Sequence, residues 1–220
     1  MILHSIDAFP YIIAGGRSNV YSVILDILNP ESQLGQDLFC INLAPADLFN
    51  IAGVMSINLP DIYHTSVEIP NTNISLLISN KVISQAKNLN YAFQTPGGLS
   101  LTYFAKSPND AEDFYEFIIS PFYMDGLLVE SYGRPYEKDF CPPNYAFKNV
   151  NVDEIKVGGL FWPSYFDMSK WAIGVNTNVV CYGDFNRMYS QWTRGGGALC
   201  FVNQAMHQAH LQIIQSYDSC

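Results

Sequence analysis

The chain alternates short apolar runs with turn residues, and few stretches hold one period for long. Residues 1–10 read as an extended strand ending at Pro10, and residues 11–37 mix apolar and turn signals without a helical period. The run Leu38-Phe39-Cys40-Ile41-Asn42-Leu43, bounded by Gly35 and Pro45, suits a buried strand. A helix is predicted over residues 44–52, because Pro45 comes early and Asp47 stands in the first turn. Residues 99–105 alternate and predict a strand. Residues 109–119 carry apolar side chains at 111, 114, 115 and 118 behind a first turn rich in acids, which predicts a helix start. Residues 127–132 predict a further strand. Strand, helix and strand in that order argue for an α/β layer rather than an all-β barrel. At the end, apolar residues at 202, 205, 206, 209, 213 and 214 predict a closing amphipathic helix over residues 202–217.

Composition narrows the class. A length of 220 residues fits between one and two domains and is ample for a core that does not depend on disulfides. With 14 Phe, 14 Tyr and 3 Trp, disorder is excluded. No apolar run approaches the ~20 residues of a membrane-spanning helix. The net charge of −9 disfavours a generic nucleic-acid binder at neutral pH. That objection weakens near about pH 5, where carboxylates begin to protonate and histidines become charged. Met1-Ile2-Leu3-His4 lacks a basic start, and Asp7, Pro10 and Gly15-Gly16 interrupt any apolar region, so no signal peptide is read. Two readings stay open: a cytosolic protein, or a natural start upstream of Met1. Five cysteines leave at least one without a partner in an oxidised chain.

The chemistry concentrates in three linked motifs. They read Asp167-Met168-Ser169-Lys170-Trp171, then Cys181-Tyr182-Gly183-Asp184-Phe185-Asn186-Arg187, then Arg194-Gly195-Gly196-Gly197-Ala198-Leu199-Cys200. In these the chain resembles the deoxyribonuclease II family, whose pattern is Asp-His-Ser-Lys-Trp, Cys-x-Gly-Asp-x-Asn-Arg and Arg-Gly-Gly-Gly-x-x-Cys. Further family-like segments are Leu3-His4-Ser5 with Phe9-Pro10, Gly35-Gln36-Asp37-Leu38-Phe39-Cys40, Phe104-Ala105-Lys106-Ser107-Pro108 and Leu127-Leu128-Val129-Glu130-Ser131, so the likeness spans the chain. The resemblance implies an α/β, phospholipase D-like fold of two pseudo-repeat halves of mixed sheet flanked by helices. Residues 1–93 would be the remainder of an incomplete N-terminal half and residues 94–220 the C-terminal half. It also implies metal-independent acid endonucleolytic cleavage of DNA to 3′-phosphates, with no cofactor. Two His-x-Lys motifs would converge on the phosphodiester, one imidazole attacking phosphorus and the other protonating the leaving oxygen. Lysines and an Asn would hold the non-bridging oxygens where charge builds.

This chain departs from that pattern twice. Met168 occupies the catalytic histidine's position, and a thioether neither takes nor delivers a proton there. No His-x-Lys occurs anywhere in the sequence; the segment expected to carry the first one lies upstream of Met1. The remnant site is expected at Lys170, Asp184, Asn186 and His4. Taken alone, Lys170 would be an exposed lysine on a strand edge, Asp184 and Asn186 an Asx-turn, and His4 a structural histidine; the matching flanks favour site positions for the first three. The Gly195–Gly197 run reads as a tight turn into the following strand, not a phosphate loop. His207 and His210 read as a solvated helix face, and Tyr115, Phe117, Phe122 and Tyr123 as core. Family likeness implies disulfides Cys181–Cys200 and Cys141–Cys220, with Cys40 unpaired because its counterpart's partner lies near the N-terminus. It also implies a secreted or lysosomal protein that meets DNA, without metal or membrane. The expectation is a catalytically impaired family member. The alternative is a secreted, non-catalytic module that holds DNA or a protein on the same scaffold. Asn73-Ile74-Ser75 is the only glycosylation sequon.

Overall fold

The structure is a computed structural model that describes residues 2–6, 9–10, 38–60, 71–79, 84–133 and 137–220, the first two segments and 38–40 by backbone alone. Strands β1 (Ile2–Ile6) and β2 (Phe9–Pro10) form a hairpin, and β1 also pairs antiparallel with β3 (Leu38–Cys40). The extended reading of residues 1–10 therefore becomes a turn-back before Pro10, while residues 11–37 lie outside the described residues. Helix α1 (Pro45–Met55) starts where Pro45 predicts it, and α2 (Thr72–Ile78) is capped by the Asn71 side chain. Asn73 of the sequon sits in the first turn of α2, with its side-chain amide donated to Phe49 O at 3.1 Å.

A large mixed sheet follows. Its strands are β4 (Asn88–Gln94), β5 (Ser100–Lys106), β6 (Leu127–Glu130), β7 (Asn149–Val157), β8 (Leu160–Pro163), β9 (Trp171–Gly174), β10 (Val179–Gly183), β11 (Gly196–Val202) and β12 (Ile214–Tyr217). They are ordered β12-β7-β6-β9-β10-β11-β5-β4, with β8 paired to β7; β6 and β7 are parallel and the other pairs antiparallel. Between β5 and β6 lie a π-helical stretch, Tyr115–Ile119, and α3 (Ser120–Tyr123). Pro121 has no N–H for the carbonyl one turn back, and the widened turn absorbs the loss. Helix α4 (Gln204–Ile213) packs against β9 and β10.

Period-two alternation assigns the two faces of this sheet. Trp171, Ile173, Val180, Tyr182, Leu199 and Phe201 face one core shared with α1 and α2. Ala172, Val179, Cys181, Ala198 and Cys200 face the other, with Phe114, Tyr115 and Ile119. Disulfides Cys181–Cys200 and Cys141–Cys220 are both present; the first joins directly opposed residues of β10 and β11. Cys40 lies on β3 opposite Ile2, and its side chain is outside the described residues.

Four expectations need correction. The helix expected from residue 109 begins at about 114, where the Asp113 carboxylate accepts Glu116 N at 2.7 Å. The closing helix stops at Ile213, and Ile214–Tyr217 pair as a strand with β7. Phe117 and Phe122 are 43% and 48% exposed rather than core, though Tyr115 is buried. His207 and His210 do not face solvent: His207 Nε2 bonds Gly174 O at 2.8 Å, and His210 spans Met206 O and the Tyr182 hydroxyl.

Candidate active site

The strand order brings the sequence motifs to one end of the large sheet. β6 ends at Glu130, opposite Trp171 at the start of β9; Lys170 O accepts Gly183 N at the end of β10 at 2.9 Å, and Gly183 pairs with Ala198 near the start of β11. β5 ends in the same place, with Lys106 opposite Gly196. Glu130, Lys170, Asp184, Gly196 and Lys106 thus line one end of five neighbouring strands.

Lys170 is fully buried, and its ammonium donates to Met168 O at 2.6 Å. That overturns the exposed strand-edge lysine. Met168 is itself buried, in the motif position where a histidine is expected. Asp167 Oδ1 takes Ser169 N at 2.9 Å and so shapes the turn into β9. Across from Lys170, Asp184 Oδ1 accepts Gly197 N at 2.8 Å and its other oxygen accepts from Arg194 at 3.1 Å. Burial pushes the Asp184 carboxyl up, against the opposing pull of Arg194, the Gly197 amide and Lys170. Asn186 is buried, and its side-chain oxygen has no hydrogen-bond partner among the described residues. His4 lies on β1, which touches β10; its side chain lies outside the described residues. Lys170, Asp184 and Asn186 therefore share one sheet end.

The three glycines are not an anion-cradling loop. Gly196 and Gly197 belong to β11 itself, and a Cβ on Gly196 would lie 2.5 Å from Asp184 Oδ1. A Cβ on Gly195 would lie 2.0 Å from Asn58 O. Glycine is required because the Asp184 loop and the Asn58 turn press against the strand.

Sequence reasoning passed over two charged groups here. Lys106 is fully buried and donates to Asp110 O, Trp192 O and Arg194 O at 2.6, 2.5 and 3.0 Å. Burial lowers its amine to about 8, yet three acceptors call for three protons, so it stands as an ammonium that pins the loop before β11. Glu130 is fully buried, and neither carboxyl oxygen has a hydrogen-bond partner among the described residues. Burial pushes it well above the usual carboxylate range, as do Asp167 and Asp153, while Lys170 pulls it back. The signal was an acid ending an otherwise apolar strand, Leu127-Leu128-Val129-Glu130. Among the described residues no third ligand joins His207 and His210 in a metal site.

The family model for deoxyribonuclease II matches residues 1–220. A deoxyribonuclease-2 of Caenorhabditis elegans is 30% identical over 195 residues, covering 84% of this chain and 51% of that protein. Cell-death-related nuclease 7 of the same organism is 28% identical over 240 residues, 100% of this chain and 60% of that protein. A deoxyribonuclease-2-beta of Rattus norvegicus is 27% identical over 234 residues, 100% of this chain and 62% of that protein. The chain thus spans between about half and three-fifths of the relatives it matches.

Proposed function

The chain belongs to the deoxyribonuclease II family, and from that premise we propose that it keeps the family's phosphate-holding sheet end while carrying Met168 in place of an imidazole that would act in cleaving DNA. The mixed α/β sheet is consistent with a phospholipase D-like scaffold, with residues 1–93 and 94–220 as its two halves and an acidic, lysosomal or secreted setting. One observation carries the reading: buried Met168 stands two residues before buried Lys170, beside Asp184 and Asn186. Lys170 and Asn186 are the groups that would neutralise the non-bridging oxygens, with Asp184 fixing the loop that carries Asn186. A thioether in the imidazole's place leaves that phosphate without its proton-transfer partner.

Plasmid nicking in EDTA at about pH 5 tests this. The unmodified chain should leave supercoiled DNA intact, with Met168→His as comparator; clear cleavage by the unmodified chain overturns the impairment. DNA binding at that pH should be lost in Lys170→Ala. A second reading, a protein-holding module, is favoured by the exposed apolar side chains of Val157, Leu160, Phe161 and Phe166 around the β7–β8 hairpin. Absence of DNA binding at low salt would select it.

A further inference from the structure

We propose that the tip of the β7–β8 hairpin is a lipid anchor that dips into the headgroup region of a phospholipid bilayer. The inference is independent of the phosphate-holding reading of the sheet end. It starts from the register of the hairpin. Ile155 and Trp162 pair across the two strands and pack on the core. The next pair on the same face, Val157 and Leu160, has run past the core and is 47% and 62% exposed. The other face of the tip carries Phe161, 55% exposed, paired with Lys156. Gly158 and Gly159 close the turn in the left-handed region, at φ 60° and 84°, and a Cβ on either would meet nothing within 4 Å.

The shape and charge of this tip point to lipid rather than to a protein-holding use of the same side chains. Because the tip is apolar on both faces, a protein surface laid against one face would leave the other in water, whereas a bilayer surrounds both. The stretch from Ile155 to Phe166 contains no acid, although the chain carries 20 Asp+Glu; the nearest, Glu154 and Asp167, stand at its two ends. Its one charge is Lys156, whose ammonium lies 4.6 Å from the centre of the Phe161 ring. A lysine stem laid along an inserted ring can carry its charge back to a headgroup phosphate. The short turn after β8 adds Tyr165 and Phe166, both exposed, with rings 4.5 Å apart; such aromatics settle at a membrane interface. The glycine turn stays at headgroup depth, where water still satisfies its backbone. The net charge of −9 opposes an anionic surface, so the lipid is zwitterionic and the apolar side chains supply the attraction. Attachment of this kind is reversible, comparable to that of a single myristoyl chain.

Flotation with phosphatidylcholine vesicles at low salt tests the anchor. The wild-type chain should rise with the vesicles. Leu160→Ser with Phe161→Ser should reduce the bound fraction about tenfold or more and leave the melting temperature unchanged, since neither side chain is buried. In Leu160→Trp, vesicles with bromine-labelled acyl chains should quench the new indole beyond the wild-type signal. A wild-type chain that stays in the soluble fraction, as a monomer or as a dimer that the double variant dissolves, overturns the anchor and leaves the tip to a protein surface. Flotation indifferent to the double variant overturns it as well, because the protein then adheres by another face. So does a Leu160→Trp indole that stays unquenched on bound protein.

Discussion

Asp125 accepts hydrogen bonds from the backbone N–H of Asn176 and Thr177 and from both of their side chains, at 2.7 to 3.2 Å. It thereby fixes the turn between β9 and β10, the two strands that set Lys170 against Gly183. Burial alone would raise its carboxyl, but these bonds outweigh burial and hold it below the usual value. Its stabilisation is therefore present above the unfolded-state value of about 4 and fades as pH falls through the lower folded-state value. Asp125→Ala should cost about 2–3 kcal/mol in denaturant unfolding near neutrality, and the gap to wild type should narrow in strong acid. Gly195 makes a steric prediction. Its missing Cβ would meet the Asn58 carbonyl at 2.0 Å, and backbone cannot swing aside as a side chain can. Gly195→Ala should lose about 1–3 kcal/mol or more, read as a lower melting temperature.

At the scale of elements, what local pattern controls was legible and what pairing controls was not. β5 and α1 follow from alternation and from Pro45, and both appear within a few residues of expectation. The tail shows the limit: apolar residues 213 and 214 satisfy a helical period, but β7 offers Ile214–Tyr217 a strand partner, and Cys220 is tied to Cys141. His207 and His210 were misread for the same reason, since the polar side of α4 docks against Gly174, Trp171 and Tyr182. In the site, Lys170, Asp184 and Asn186 were singled out by the flanks that resemble the family motifs; spacing alone would have left Lys170 an exposed lysine, whereas it is buried. Glu130 was not singled out, because β6 meets β9 across about forty residues of chain and no local signal carries that register. The Cys141–Cys220 bond closes 79 residues and anchors β12 beyond α4. Cys141→Ser with Cys220→Ser should cost about 2–4 kcal/mol and expose the segment after α4 to limited proteolysis before the rest of the fold yields.

At the scale of the whole molecule, most acidic side chains among the described residues are buried rather than spread over the surface. Asp113, Glu116, Glu130, Glu137, Asp139, Asp153 and Asp184 all have carboxyls raised by burial. Burial, together with the nearby Asp113 charge, pushes Glu137 up to about 8. Arg187, fully buried and bonded to Asn151, Asp139 and Lys138 O, partly offsets this cluster and leads directly from Asn186. A raised carboxyl binds its proton more tightly in the folded than in the unfolded chain. Its contribution is thus complete below the unfolded value of about 4 and is lost as pH climbs through the folded value, about 8 for Glu137. His210 acts in the opposite sense: burial lowers its ring, so the unfolded chain gains protons first and stability declines below about pH 6.5. Lys106, lowered by burial to about 8, also acts against the carboxyls, but only as pH approaches that value, where the unfolded chain keeps a proton that the folded chain begins to lose. The melting temperature should therefore fall between about pH 6.5 and about pH 7.5, above the range of His210 and below that in which Lys106 opposes the carboxyls. Glu137→Gln should flatten that decline, because an amide keeps the hydrogen bond from Trp192 Nε1 without titrating. A wild-type melting temperature that rises over the same interval would show that the buried acids are ionised and paired, and that the fold is not tuned to an acidic setting.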